Sequence, residues 1–220
     1  MVNKTLTAII PVRKGSERVI NKNVRPFGGS SLLELKISNL KKVSEIHDII
    51  VNSDCDDMLR IAKDMGVSTY KREAYYASSK VNNSEYFEHV ALNTDSEYIM
   101  YAPVTCPFIE VSTYGDAIEK FWSNKKHDSL ASVFPVKHHM WLDGKPVNYD
   151  PANSPNSQDL PNIYGISYGI SIISRKLMIE RKNVVGYNPF LYPLDEIEGV
   201  DIDTELEFEF AQYLYKKINI

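Results

Sequence analysis

Cysteine is nearly absent: the 220-residue chain has two, Cys55 and Cys106. They are too few and too widely spaced for a disulfide framework or a zinc site, so both read as free thiols of a reducing compartment. Long apolar runs are missing too. The run that opens at Leu6 meets Pro11 and then a string of charge, too short for a signal-peptide core or a membrane span, so a cytoplasmic protein with no membrane partner is expected. Positive charge is not in excess: 25 Lys and Arg stand against 29 Asp and Glu, for a net charge of −4 and a pI near 5.8. No global field is available to condense the chain onto a nucleic acid, and any phosphate must be held in one local pocket. The two common phosphate-loop signatures, G-x-x-x-x-G-K-[ST] and G-x-G-x-x-G, are absent, as are internal repeats and low-complexity tracts.

What remains is an ordinary globular composition, 43% hydrophobic and 25% charged, with fourteen tyrosines that argue against disorder. The length suits a single α/β domain spanning 1–220. LTAII (6–10) is a β-branched run of the kind that forms a buried parallel strand, and 31–43 has the apolar spacing of a helix, with Leu32, Leu33, Leu35, Ile37 and Leu40 largely on one face. Strands at 47–54, 97–103 and 128–136 alternate with helices at 56–67, 82–94 and 112–124, the signature of a doubly wound, mostly parallel sheet. Such sheets bind ligands at the carboxyl ends of their strands. The pattern breaks at about 137–165, where Pro, Asn, Asp and Gly surround Met140, Trp141 and Tyr149. A protruding arm or hairpin is expected there, and a dimer contact through it, because apolar patches of that size seldom stay exposed. Apolar residues resume in 164–175. Thr204 and Glu207 then form a capping box for a terminal helix with Leu206, Phe210 and Leu214 along one face.

Between the first strand and the first helix lies PVRKGSERVINKNVRPFGG, several times longer than a turn requires. It combines Arg13, Lys14, Arg18, Lys22 and Arg25 with Gly15, Ser16, Gly28 and Gly29. Small residues let backbone N–H groups approach a phosphate and cations neutralise it, which suits a triphosphate; composition alone leaves a solvated basic loop open. In GVDIDTE, Asp201 and Asp203 leave the same face if the backbone is extended, where they can share Mg²⁺. The alternative is that Asp203 merely favours the positive end of the terminal helix while Asp201 is solvated. Asp54, ending the second strand, is expected to partner Arg13 or Lys22. His138 and His139 face opposite ways if extended, one toward a substrate mouth.

The loop, R-x-x-S-x-x-x-x-x-K-N followed by P-x-x-G, resembles the opening motif of the acylneuraminate cytidylyltransferase family, which makes CMP-activated sugar acids. IIVNSDCDDMLRIAKDMGV resembles the family's second strand, S-T-D and helix, and YKREAYYASS its R-x-x-x-x-A segment. APVTCPF resembles its P-T-S-P loop and KHHMW its E-H-H-P turn. QDLPNIYGISYGI is similar to its Q-D-L-P and N-G-A-I-Y strand, and VDIDTELEFEFAQYL to its I-D-I-D-T ending. The resemblance implies a Rossmann-like fold of nucleotidyltransferase type and a homodimer. It implies transfer of CMP from CTP to a small acidic acceptor, with Mg²⁺ on Asp201 and Asp203. It assigns Arg13, Lys22, Asp201 and Asp203 to catalysis, Arg13, Ser16, Lys22, Asn23 and Arg72 to the nucleotide, and Thr105, His138, His139 and Gln158 to the acceptor.

Departures fall on the acceptor side. Pro103, Ile109 and Asn156 stand where sialic-acid-activating members carry Gln, Arg and Arg, and Ser167 or a neighbour stands in place of the Asn of N-G-A-I-Y. An unpaired sugar-acid carboxylate would then rely on Lys137, His138, His139 or Arg175, and a modified nonulosonate or another 2-keto sugar acid is expected instead of N-acetylneuraminate. Transfer of another nucleotide, a phosphate or phosphonate acceptor, and an inactive nucleotide-binding module remain as alternatives.

Overall fold

The computed structural model describes residues 5–15 and 18–218. Seven strands form one sheet: β1 (Leu6–Pro11), β2 (Asp48–Ser53), β3 (Ser68–Lys71), β4 (Tyr98–Tyr101), β5 (Ser129–Val136), β6 (Ile163–Ser174) and β7 (Pro189–Pro193). Their order is β7-β5-β6-β4-β1-β2-β3. β1 lies near the middle, parallel to both β2 and β4, with Thr7 opposite Asp48 on one side and Ile99 on the other. Its apolar run is fully used because both faces are covered. Leu6, Ala8 and Ile10 enter a core shared with α1 (Leu32–Leu40), α2 (Asp56–Asp64), α5 (Val111–Ser123) and α7 (Glu205–Ile218). Ile9, on the opposite side of the pleat, joins the core beneath α4 (Asn83–Leu92) and α6 (Arg175–Arg181).

The expected doubly wound layers are therefore present, with additions. The 164–175 run is a strand antiparallel to both β4 and β5. Its ladder is interrupted between Ile166 and Ser171, where Tyr168 adopts a positive φ of 57°. β3, β7, α6 and the one-turn helix α3 (Ala74–Ala77) complete the chain.

Within 137–165, Trp141–Leu142 pairs with Lys145–Pro146 across an Asp143-Gly144 turn in which both φ angles are positive, as a two-residue hairpin requires. Lys137 fastens the base of this segment by donating to the Leu160 carbonyl at 2.8 Å and to Asn162 Oδ1 at 3.0 Å.

In α7 the face is not the expected one. Leu206 and Phe210 are 75% and 52% exposed, and the buried residues are Phe208 and Ala211. The capping box sets the helix start: Glu207 Oε2 accepts from the backbone N–H groups of Asp203 and Thr204, and Thr204 Oγ1 accepts from Glu207 N–H. Phe208 and Tyr215 then meet Phe27 edge to face at 5.8 and 5.3 Å. Both stripes have helical spacing, and the aromatic pocket around Phe27 decides between them.

Candidate functional site

The loop after β1 is held from both ends. Val12 N–H donates to the Asn52 carbonyl at the tip of β2, and Lys14 N–H to Asp54 Oδ1 at 2.9 Å. Asp54 thus binds loop backbone rather than Arg13 or Lys22, because those two cations have other partners. Asn23 donates through Nδ2 to the Arg13 carbonyl at 3.1 Å while its own carbonyl accepts from Leu33 N–H at the start of α1. Val19, fully buried, pins the middle. Ser16 lies outside the described residues.

Arg13 reaches across to donate to the Ala77 carbonyl at 2.8 Å, joining the loop to the segment around α3. Lys22 is buried, donating to the Ile202 carbonyl at 2.5 Å and standing 3.6 Å from Asp203. Desolvation lowers its pKa, against the pull of Asp203 and Asp201. Asp203 is also paired with Arg18 at 2.9 Å. Arg72 is buried with two of its three guanidinium nitrogens engaged: Nε to Asn52 Oδ1, and Nη2 to the Asn52 and Val12 carbonyls and to Tyr86 Oη. Its contacts make it a brace between β1, β2 and α4.

Thr105 projects from the turn after β4, and its carbonyl accepts from Ile202 N–H at 2.9 Å, which sets the D-I-D segment beside that turn. Desolvation raises the Asp201 carboxyl above its ordinary value, aided by the Asp203 charge and opposed by a hydrogen bond with Thr105. Between these elements opens a cleft of about 480 Å³, lined by Arg13, Arg18, Lys22, Arg72, Tyr101 and Thr105 among others. Pro103 also lines it, as do Ala77, Ser78 and Ser79.

Other expected site residues are elsewhere. His139, exposed on the arm, has Nε2 3.0 Å from the Pro155 carbonyl and its ring edge-on to Tyr149. His138 is exposed beside it, its carbonyl accepting from Asn148, so neither enters the cleft of its own chain. Gln158 sits exposed in a short 3-10 turn of the same segment. Ile109 is core, 1% exposed and packed toward Gly169. Arg175 caps α4 through the Ala91 and Leu92 carbonyls, and Lys137 serves the arm, so neither is a partner for a carboxylate in the cleft. Tyr86, Asn52 and the Ala77–Ser79 backbone have no signature of their own in the sequence. Lys36, an ammonium set among the leucines of α1, does.

A family model described as cytidylyltransferase matches residues 7–144. The chain belongs to the cytidylyltransferase family. This cytidylyltransferase is 25% identical to the post-translational flagellin modification protein B of Campylobacter coli, over 96% of the chain and 95% of that protein. It is 24% identical to a pseudaminic acid cytidylyltransferase of Campylobacter jejuni, over 94% of the chain and 95% of the relative. It is 23% identical to a CMP-N,N'-diacetyllegionaminic acid synthase of the same species, over 96% and 95%. Among solved structures, the cytidylyltransferase superposes on 4-diphosphocytidyl-2C-methyl-D-erythritol synthase from Anaerococcus prevotii with a TM-score of 0.74 at 16% identity, covering 97% of each chain. A CMP:2-keto-3-deoxy-manno-octonic acid synthetase complexed with CTP gives 0.71 at 11%, covering 98% of this chain and 100% of the other. At those identities the structural likeness speaks for the fold. The sequence match reaches Arg13, Lys22, Asn23, Arg72 and Thr105; Asp201 and Asp203 of the cytidylyltransferase lie beyond it.

Proposed function

We infer that the chain transfers CMP from CTP to a 2-keto sugar acid of the nonulosonate type, releasing pyrophosphate, for surface-glycan synthesis in the cytoplasm. The carrying observation is the single cleft in which Arg13, Arg18, Lys22 and Thr105 converge at the carboxyl ends of β1 and β4, beside the acidic pair. The names of the full-length relatives, pseudaminic and diacetyllegionaminic acid enzymes, support the acceptor class.

In this reading an acceptor hydroxyl gives up its proton to solvent and its oxygen bonds to the α-phosphorus of CTP. The bond to the oxygen bridging α and β breaks, and pyrophosphate leaves with that electron pair. Arg13 exchanges the Ala77 carbonyl for phosphate oxygens, and Lys22, already desolvated, neutralises charge that grows on them. Asn23 and Arg72 hold the loop and strand ends in place, and Arg72, which lines the cleft, has, among the described residues, Nη1 left for the nucleotide. A divalent cation fits the donor set: Asp201 and Asp203 offer only hard carboxylate oxygens, their mutual repulsion would be relieved by it, and Asp203's pairing with exposed Arg18 is cheap to open. Mg²⁺ bound there would supply Lewis-acid stabilisation of the phosphate charge. The arm, with Trp141 and Leu142 56% and 66% exposed, is the surface through which two chains pair, and it would bring His138, His139 and Gln158 to the partner's cleft.

The test is pyrophosphate release from CTP with a panel of 2-keto sugar acids, sugar phosphates and phosphonates. A nonulosonate other than N-acetylneuraminate should be used best, with N-acetylneuraminate about 10⁴-fold poorer in kcat/KM, since Pro103, which lines the cleft, offers no donor to the polar substituents that distinguish it. Asp203→Ala should lower kcat by about 100-fold or more. Full activity of that variant at saturating Mg²⁺, or a phosphorylated acceptor outrunning every sugar acid, would refute the reading.

A further inference from the structure

Lys36 is a lysine on the apolar face of α1, between Leu33 and Leu40, and is 2% exposed. A buried ammonium costs several kcal/mol unless its protons are taken up. Its Nζ donates to the Cys106 carbonyl at 2.8 Å and to Tyr114 Oη of α5 at 2.5 Å, and lies 5.2 Å from the centre of the Tyr114 ring. Cys106 follows Thr105 in the turn after β4, and its thiol is 3.9 Å from Asp201 Oδ1 and 3.8 Å from the Ser167 carbonyl. The preceding carbonyl, of Thr105, receives Ile202 N–H. One charged side chain therefore fixes the turn from beneath, and that turn touches the D-I-D segment at two successive residues. A merely space-filling role at this position would be met by leucine or methionine without desolvating a charge.

We propose that Lys36 is a positioning residue for the acidic pair: by clamping the Cys106 carbonyl it sets the 103–107 turn, and through it the Asp201 carboxylate, in the geometry that receives a divalent cation. This rests on the metal assignment made above. Residues that act on a metal ligand from behind typically alter metal affinity or activity by 10–100-fold when changed.

Mn²⁺ serves as the probe, its free EPR signal titrated against protein with CTP and no acceptor, alongside steady-state kinetics in Mg²⁺. Lys36→Met keeps the length and removes the charge. It should weaken Mn²⁺ binding at least tenfold and raise the Mg²⁺ concentration for half-maximal rate in step, while KM for CTP at saturating Mg²⁺ stays within about threefold. Tyr114→Phe, which removes the other acceptor and so loosens the Lys36 clamp without changing a residue of the turn, should move Mn²⁺ binding two- to fivefold in the same direction, and it decides the matter if Lys36→Met does not fold. Unchanged Mn²⁺ binding in a folded Lys36→Met, or in Tyr114→Phe when the former is unfolded, overturns the proposal. Asp201→Asn separates the two layers. If it binds Mn²⁺ like the wild type, the metal assignment itself fails and the proposal with it. If it is weakened while Lys36→Met is not, only the role of Lys36 falls.

Discussion

The burial of Lys36 has a thermodynamic signature of its own. Desolvation lowers its pKa from an ordinary 10.5 to about 8, while burial raises its neighbours, Cys106 to about 12 and Tyr114 well above the usual phenol value, so that both stay neutral over that interval. Below about pH 8 the ammonium is present in both folded and unfolded chains and its burial penalty is fully felt. Between about 8 and 10.5 the unfolded chain still binds the proton and the folded one has released it, so stability rises with pH. Across that window the wild type should gain on the order of 3 kcal/mol relative to Lys36→Met in urea denaturation. The comparison cancels the tyrosines and cysteines that the two chains share. An unchanged difference between pH 8 and 10.5 would show that this amine is not held in a desolvated place.

At the scale of elements, the turn Phe27-Gly28-Gly29 is locked beneath α7. Gly28 has a φ of +58°, and a Cβ there would clash with the edge of the Tyr215 ring. Gly28→Ala should destabilise the fold by about 1–3 kcal/mol, read as a lowered Tm, and should raise KM for CTP because the loop ahead of it loses its anchor. An unaltered Tm would mean the turn tolerates a side chain. The capping box of α7 and the alternation of β1, α1, β2, α2, α4, β4, α5 and β5 were legible in the sequence because each is a local pattern. The buried stripe of α7 was not, since Leu206/Phe210/Leu214 and Phe208/Ala211/Tyr215 have the same spacing and only Phe27, remote in sequence, selects between them. β3 reads Ser-Thr-Tyr-Lys and β7 is bounded by Pro189 and Pro193, so neither offers a run of apolar residues. Of the site, the cations and Asp201/Asp203 stood out by motif. That Arg72 would be a brace, and that Arg175 and Ile109 would lie outside the cleft, depended on tertiary contacts with Asn52, Ala91 and Gly169.

For the whole molecule, the arm and the central cleft belong to different levels of organisation. Replacing Trp141 and Leu142 by Ser should shift a dimer toward monomer in light scattering at micromolar concentration while leaving the far-UV signature of the sheet unchanged; a wild-type monomer there would contradict pairing through the arm. The cleft itself joins distant parts of one chain. Arg18 and Lys22 meet Asp203 and the Ile202 carbonyl, Arg25 meets Glu205 and stacks on Phe208, and Gln212 donates to the Pro26 carbonyl. α7 follows β1, β2 and β4 along the chain, so a nascent chain can complete those central strands while its cationic loop still lacks every one of these partners. The loop's shape is thereby tied to the synthesis of α7: a chain stalled before that helix carries the loop's sequence without the contacts that hold it.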